Sequence, residues 1–317
     1  MPLITTVLTG PGDPSVPPVE VPDVGYASIT YIDPTGTRWP MTDVAADWYA
    51  LAEGVSGLGA APYTLTTDPH PRGGARLRHV QAQPRTIVWP LLVKGTDHTA
   101  FTANWRALAR AFTRTLREGP GVLEVARPDG TRRATEVYYQ EGYDGRGQVA
   151  TGITWDSAVL TLWCEDPYWL GSEPLTERRE SGTGVDFLAP YPSVSSGQVL
   201  GATVLSNPGD IEVWPTWTIT GPATGITFTN SASGESFQLD PSQTAHGDLL
   251  AGDTVTVSTD PPGVSGPGGN DWPGALNWPG AILWALPPGE TPVTFQLDGA
   301  GPGSSVSVTF FPRYETA

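Results

Sequence analysis

Sulfur, positive charge and long apolar runs are all scarce in this chain of 317 residues. A single cysteine, Cys164, excludes an intrachain disulfide framework and a cysteine-based zinc site. Lys and Arg together number 17 against 33 acidic residues, for a formal net charge of −16. An acidic surface repels phosphates, so specific DNA binding is not expected. No apolar run approaches the roughly 20 residues that cross a bilayer, which excludes insertion by helices. The opening MPLITTVLTGPGD has no basic start and breaks at Pro11-Gly12, so the expectation is a soluble protein that is synthesised in a cytoplasm and not exported by a leader.

Catalytic and metal-binding patterns are missing as well. The string GVSGL at Gly54–Leu58 is not a nucleophile elbow. His70, His79, His98 and His246 show no HExxH or other ligand spacing. Asp240, Asp248, Asp253 and Asp260 do not fit a helix–loop–helix calcium site; calcium on surface loops and plainly solvated carboxylates both remain open. Glu165 and Asp166 are adjacent, and neighbours on a strand point to opposite faces, so they do not converge as an acid/base pair. No enzyme, no cofactor and no metal site is expected.

What is present is 38 Gly, 33 Pro and 38% hydrophobic residues. That mixture describes many short strands joined by turns, and the length suits two domains. Residues 1–24 are Pro-rich and aperiodic and read as an extended arm. Residues 25–170 form a first domain. It holds the strands YASITYI and RTIVWPLLV, the hairpin GVLEVAR–PDGT–RRATEVYYQ and the strand ITWDSAVLTLWC. Pro90 inside RTIVWPLLV predicts an edge or a bulge.

One helix is expected, at about 97–118, capped by Thr96 or Asp97 and ended by Gly119-Pro120. Phe101, Trp105, Leu108, Phe112 and Leu116 make its apolar stripe. Arg106, Arg110, Arg114 and Arg117 occupy the other side, as a solvated face or as a surface for an acidic partner or the next subunit.

In WCEDPYWLG, Trp163–Gly171, Asp166 is expected to cap a turn, Pro167 to stop the strand, and Tyr168 and Trp169 to pack on a domain seam. Cys164 reads as a small buried hydrophobe. Residues 171–200 read as a linker, and 201–317 as a second domain with clean period-2 alternation. Val293, Phe295 and Leu297 share one face of a strand, and so do Val306, Val308 and Phe310. Such strands describe a β-sandwich. Trp272, Trp278 and Trp284 lie in or beside the loop PPGVSGPGGNDWPGALNWPG. They are candidate sugar or partner contacts if exposed, and loop packing if not.

Taken in order, these stretches resemble the distal tail (Dit) proteins of long-tailed bacteriophages. YASITYID, VSGLGAAPYTL, RGGARLRHV, RTIVWPLLV, NWRALARAF, PGVLEVARPDGTRR and WCEDPYWLG are similar to the ring-forming domain. SNPGDIEVWPTWTITGPATGITFTNSASGESFQL, GDLLAGDTVTVSTD, LPPGETPVTFQLDG and SVSVTFFPRYETA are similar to the outer sandwich. The resemblance spans about Tyr26 to Ala317; the arm and the long loop at 261–280 depart from it.

The resemblance implies a mainly β fold with one helix, a ring-forming domain and a galectin-like sandwich. It implies a structural virion component at the tail tip, a ring, typically a hexamer, joining the tail tube to baseplate and tape-measure proteins. The outer domain would hold receptor-binding proteins or touch host glycans. A carbohydrate-binding adhesion module is the competing reading; a tail-borne cell-wall hydrolase lacks the residues for its chemistry.

Overall fold

The computed structural model describes residues 27–145, 153–181 and 199–317. The proposed arm at 1–24 lies outside the described residues. In chain order the first part contains β1 (Ser28–Ile32), β2 (Arg38–Pro40), β3 (Trp48–Ala50), β4 (Tyr63–Pro69), β5 (Ala75–Ala82), β6 (Arg85–Lys94), α1 (His98–Thr113), α2 (Thr115–Glu118), β7 (Gly121–Ala126), β8 (Arg132–Gly142), β9 (Trp155–Cys164) and β10 (Trp169–Gly171). The second part holds β11 (Leu175–Glu180), β12 (Val199–Asn207), β13 (Thr216–Thr220), β14 (Gly225–Asn230), β15 (Ser236–Leu239), β16 (Thr254–Thr259), β17 (Pro262–Ser265), β18 (Gly289–Asp298), β19 (Ser305–Phe310) and β20 (Arg313–Tyr314). The fold is mainly β with a single long helix, as the composition implies.

The first sheet runs β2-β1-β7-β8-β9-β6-β3, and β10 and β20 extend it beside β8. Its core is one apolar cluster in which Ile87, Trp89, Leu91, Val93, Leu123, Val125, Leu160 and Leu162 meet the helix. Alternate residues of β6 and β9 supply it because side chains of a strand alternate in direction. Pro90 sits inside β6 without breaking the sheet. Val88 exchanges hydrogen bonds with Ser56, and the Pro90 carbonyl accepts from Leu51 N at 2.8 Å. On that side β6 meets only the short β3 and an irregular segment, so no long ladder needs the missing N–H.

Helix α1 starts where Asp97 accepts a hydrogen bond from Ala100 N at 2.8 Å. Phe101, Leu108 and Phe112 are buried, and Trp105 stacks on Tyr143 with ring centroids 4.3 Å apart. The predicted stripe fails at its last member. Leu116 is 60% exposed, because Arg114 separates α1 from α2 and Thr115 turns inward instead. The Thr115 hydroxyl donates to Phe112 O at 2.8 Å and accepts from Tyr139 N at 2.9 Å.

The second part is a sandwich of two sheets, β11-β19-β13-β16-β17 and β12-β18-β14-β15. Trp217 is fully buried between them, with Phe228, Phe237, Trp284 and Phe295 all within 5.8 Å by ring centroid. Most of these rings meet edge to face, the arrangement their quadrupoles favour.

Two segments lie elsewhere than the sequence suggests. Leu175–Glu180, read as linker, pairs along its whole length with β19 and completes one sheet of the sandwich. At the other end, Arg313–Tyr314 leaves the sandwich and pairs with β10 of the first sheet. Neither segment is apolar enough to announce itself.

Candidate assembly site

Among the described residues nothing resembles a catalytic centre. No group of three or more His, Cys, Asp or Glu side chains there converges on a metal position. Cys164 is fully buried and its thiol is pushed up to about 11, chiefly by desolvation. A thiol so placed is an inert core group.

Asp166 accepts Tyr168 N at 3.0 Å, closing the turn that ends β9. Its carboxylate is also gripped by Arg313, with Nη2 at 3.0 and 2.9 Å from its two oxygens. Arg313 is the one basic residue from Val204 onward, and it lies 4.6 Å over the Tyr168 ring. The sole Lys or Arg of the chain beyond Val204 thus sits on WCEDPYWLG, and that stretch is a junction.

A second arginine completes the junction. Arg85 is 2% exposed, yet its guanidinium is satisfied by main-chain carbonyls. Nε donates to Pro167 O at 2.7 Å, Nη1 to Gly57 O at 2.7 Å and to Gly59 O, and Nη2 to Glu315 O at 2.8 Å. Gly57 has φ +90, and a Cβ there would collide with the Thr86 carbonyl oxygen, so only glycine lets this loop approach β6. The C-terminal residues are held by further contacts with the first domain. Ala317 N donates to Leu58 O at 2.9 Å, Arg127 reaches Ala317 O at 2.9 Å, and Arg133 stacks on Tyr314 at 3.8 Å.

The feature most open to a partner is the β4–β5 hairpin. It pairs with no other strand among the described residues, so both its outer edges are unpaired. In its register Tyr63 faces Ala82, Leu65 faces Val80 and Thr67 faces Leu77, with a bulge between Thr66 and Thr67. Cross-strand partners share a face. Leu65 and Leu77 on the apolar face are 60% and 53% exposed, while Thr64, Thr66, His79 and Gln81 occupy the other. At its base the Tyr63 hydroxyl donates to Glu315 Oε1 at 2.7 Å and lies 3.1 Å from the Tyr168 hydroxyl, so the hairpin springs from the junction itself.

Sequence reasoning missed this hairpin. YTLTT and ARLRHVQA do alternate, but Pro69 and Pro71 between them disguise the pairing. The bend is closed by His70 N, which donates to Gly74 O at 2.9 Å. The usable signal was the Gly73-Gly74 pair between two alternating runs.

The predicted site residues separate. Arg106, Arg110 and Arg117 are exposed on the helical segment. Arg114 is drawn inward, with Nη1 3.5 Å from Asp33 and Nε 3.8 Å from Glu118. Burial pushes the Asp33 carboxyl up, but hydrogen bonds from Thr35, Trp39 and Thr37 outweigh it and hold the group below its ordinary value. Trp272 and Trp284 are 6% and 2% exposed and belong to the sandwich core, so as sugar contacts they are corrected to loop anchors. Trp278 alone of the three stands in solvent, 56% exposed.

No family model and no curated protein matches the chain. Solved structures do. The Dit protein of phage SPP1, described as a paradigm of the hub adsorption apparatus in phages infecting Gram-positive hosts, aligns with a TM-score of 0.62 and 14% identity. That alignment covers 90% of this chain and 99% of that one. A chain of the phage P2 baseplate in its activated conformation aligns with a TM-score of 0.53 and 10% identity, over 92% of this chain and 100% of that one. The likeness runs through both domains, and at these identities it is a likeness of fold.

Proposed function

We propose that this chain is a distal tail protein, a structural component of a phage tail tip and not an enzyme. Its first domain closes with identical copies into a ring, a hexamer in this reading. The ring joins the tail tube to tape-measure and baseplate or tail-tip hub proteins, and the outer galectin-like sandwich projects toward receptor-binding proteins. The virion is its destination and a host cytoplasm its place of synthesis.

The observation that carries this reading is the β4–β5 hairpin. An amphipathic two-stranded ribbon with free edges is marginal alone and gains stability when a neighbour covers its apolar face or extends its ladder. In a closed ring every copy gives and receives the same contact, so no edge is left over. Exposed Arg106, Arg110 and Arg117 supply the polar part of such a contact; Arg114 is occupied within the subunit. The fold likeness to phage hub and baseplate proteins supports the same role. Class averages of the purified protein by electron microscopy test it: closed rings are expected, and isolated subunits at every concentration would count against it.

A further inference from the structure

Ring assembly makes no use of two features of this chain, the Pro-rich arm at residues 1–24 and a cleft on the sandwich. The cleft encloses about 430 Å³, and its lining includes Trp214, Trp278, Pro262, Ala281, Leu283 and Asp260. Trp214 is 40% exposed and Trp278 56%, in a domain that buries most of its other aromatic side chains in one core. The Trp278 indole N–H donates to Pro273 O at 3.2 Å, which ties that ring to its own loop. The Trp214 indole N–H has no partner among the described residues, so one donor is spare at the cleft.

Aromatic surface and a spare donor together suit a polyproline II segment. Such a segment has three residues per turn and no internal hydrogen bonds, so its rings pack on aromatic side chains while its carbonyls still need donors. The arm contains one candidate stretch. Pro14, Pro17, Pro18 and Pro22 recur in PSVPPVEVP, with Pro14 and Pro17 one turn apart. Pro14 to Val19 carries no charge. Asp13 and Glu20 flank it, roughly 22 Å apart in that conformation, so neither carboxylate has to face Asp260.

Strand pairing sets the distance the arm must cross. Ser28 faces Ala126, Ala126 faces Arg132, Arg133 faces Gly171, and Leu170 faces Arg313. The arm therefore enters the first sheet four strands away from Arg313, whose bridge to Ile211 leads on to Trp214. Strand spacing and residue rise make that a route of about 40 Å, and its steps across and along the strands leave roughly 30 Å in a straight line. The stretch from Pro17 to Ser28 spans about 34 Å as polyproline II, so it reaches.

We propose that the arm docks PSVPPV into this cleft of its own chain, as a strap from the first domain to the sandwich. The segment after Phe311 already returns from the sandwich to the first domain, and the arm makes a second crossing in the opposite direction. The two departures from the resemblance then answer one another, because the loop at 261–280 supplies Pro262 and Trp278 to receive the arm. The strap needs no second copy and is independent of the ring.

The test places the photoreactive analogue p-benzoylphenylalanine at Val16 of the full chain and maps its cross-links by mass spectrometry after irradiation. Cross-links should fall at 211–216 and 259–283, and the product should run as a single chain on a denaturing gel. Trp214→Ala/Trp278→Ala and Pro17→Gly/Pro18→Gly should each lower the yield about ten-fold. Circular dichroism and particle mass should not change in the tryptophan variant, since both side chains are exposed; particle mass is the separate readout of ring formation. Absence of cross-links to the sandwich, a covalent dimer, or an undiminished yield in the tryptophan variant would overturn the proposal.

Discussion

The two domains are built from the same material and use it differently. The sandwich turns most of its aromatic residues inward around Trp217 and leaves Trp214, Trp278 and Phe311 outside. The first domain packs a comparable core around its helix yet leaves a whole hairpin, with Leu65, Leu77 and Val80, in water. Charge divides the same way. Arginine is concentrated in the first domain, while the sandwich half holds Arg313 alone from Val204 onward, and that residue is committed to Asp166. The contrast is that one domain covers most of its aromatic side chains itself, while the other leaves the apolar face of a hairpin uncovered within the single chain.

Breaking the sandwich core should have the largest effect. Trp217→Ala removes a fully buried ring with aromatic neighbours on several sides and should cost about 4 kcal/mol. In calorimetry the sandwich transition should fall while that of the first domain holds, because the two clusters are separate.

Next comes the junction. Arg85→Met leaves the carbonyls of Gly57, Gly59, Pro167 and Glu315 without their donor and should cost about 3 kcal/mol by urea unfolding. Limited proteolysis should then release the C-terminal residues first.

Asp33→Asn sharpens the charge side of the comparison. The Asp33 carboxylate accepts from Thr35, Thr37 and Trp39, and its pKa is depressed in the folded state. A depressed carboxyl contributes stability above its unfolded pKa and loses it as pH falls through the folded value. The variant should therefore be about 2 kcal/mol less stable at neutral pH, and the gap should close in acid below the ordinary value of 3.8.

Asp166→Asn should do least, about 1 kcal/mol or less, because the pair it breaks with Arg313 is half-exposed.

The sandwich was legible in the sequence because its strands alternate cleanly: Val293, Phe295 and Leu297 go inward, and Thr294, Gln296 and Asp298 do not. The long helix was legible from its stripe and from Asp97. The junction was legible as a boundary only. Its bonds run from Arg85 to main-chain carbonyls, which leave no side-chain pattern to read. The tryptophans show the limit most plainly. Trp272-Pro273-Gly274 and Trp278-Pro279-Gly280 are the same tripeptide, yet the first ring is buried and the second is not. What separates them is a longer-range contact: Trp272 N pairs with Val264 O at 2.8 Å, against β17, while Trp278 N bonds only within its own loop.

The central claim is that the hairpin joins copies of this chain. Light scattering coupled to size exclusion, run on the wild type and on Leu65→Glu/Leu77→Glu, addresses it directly. The wild type should elute as a closed oligomer and the variant as a monomer with an unchanged circular dichroism spectrum, since both residues lie outside either core. A variant that still assembles like the wild type would contradict the account.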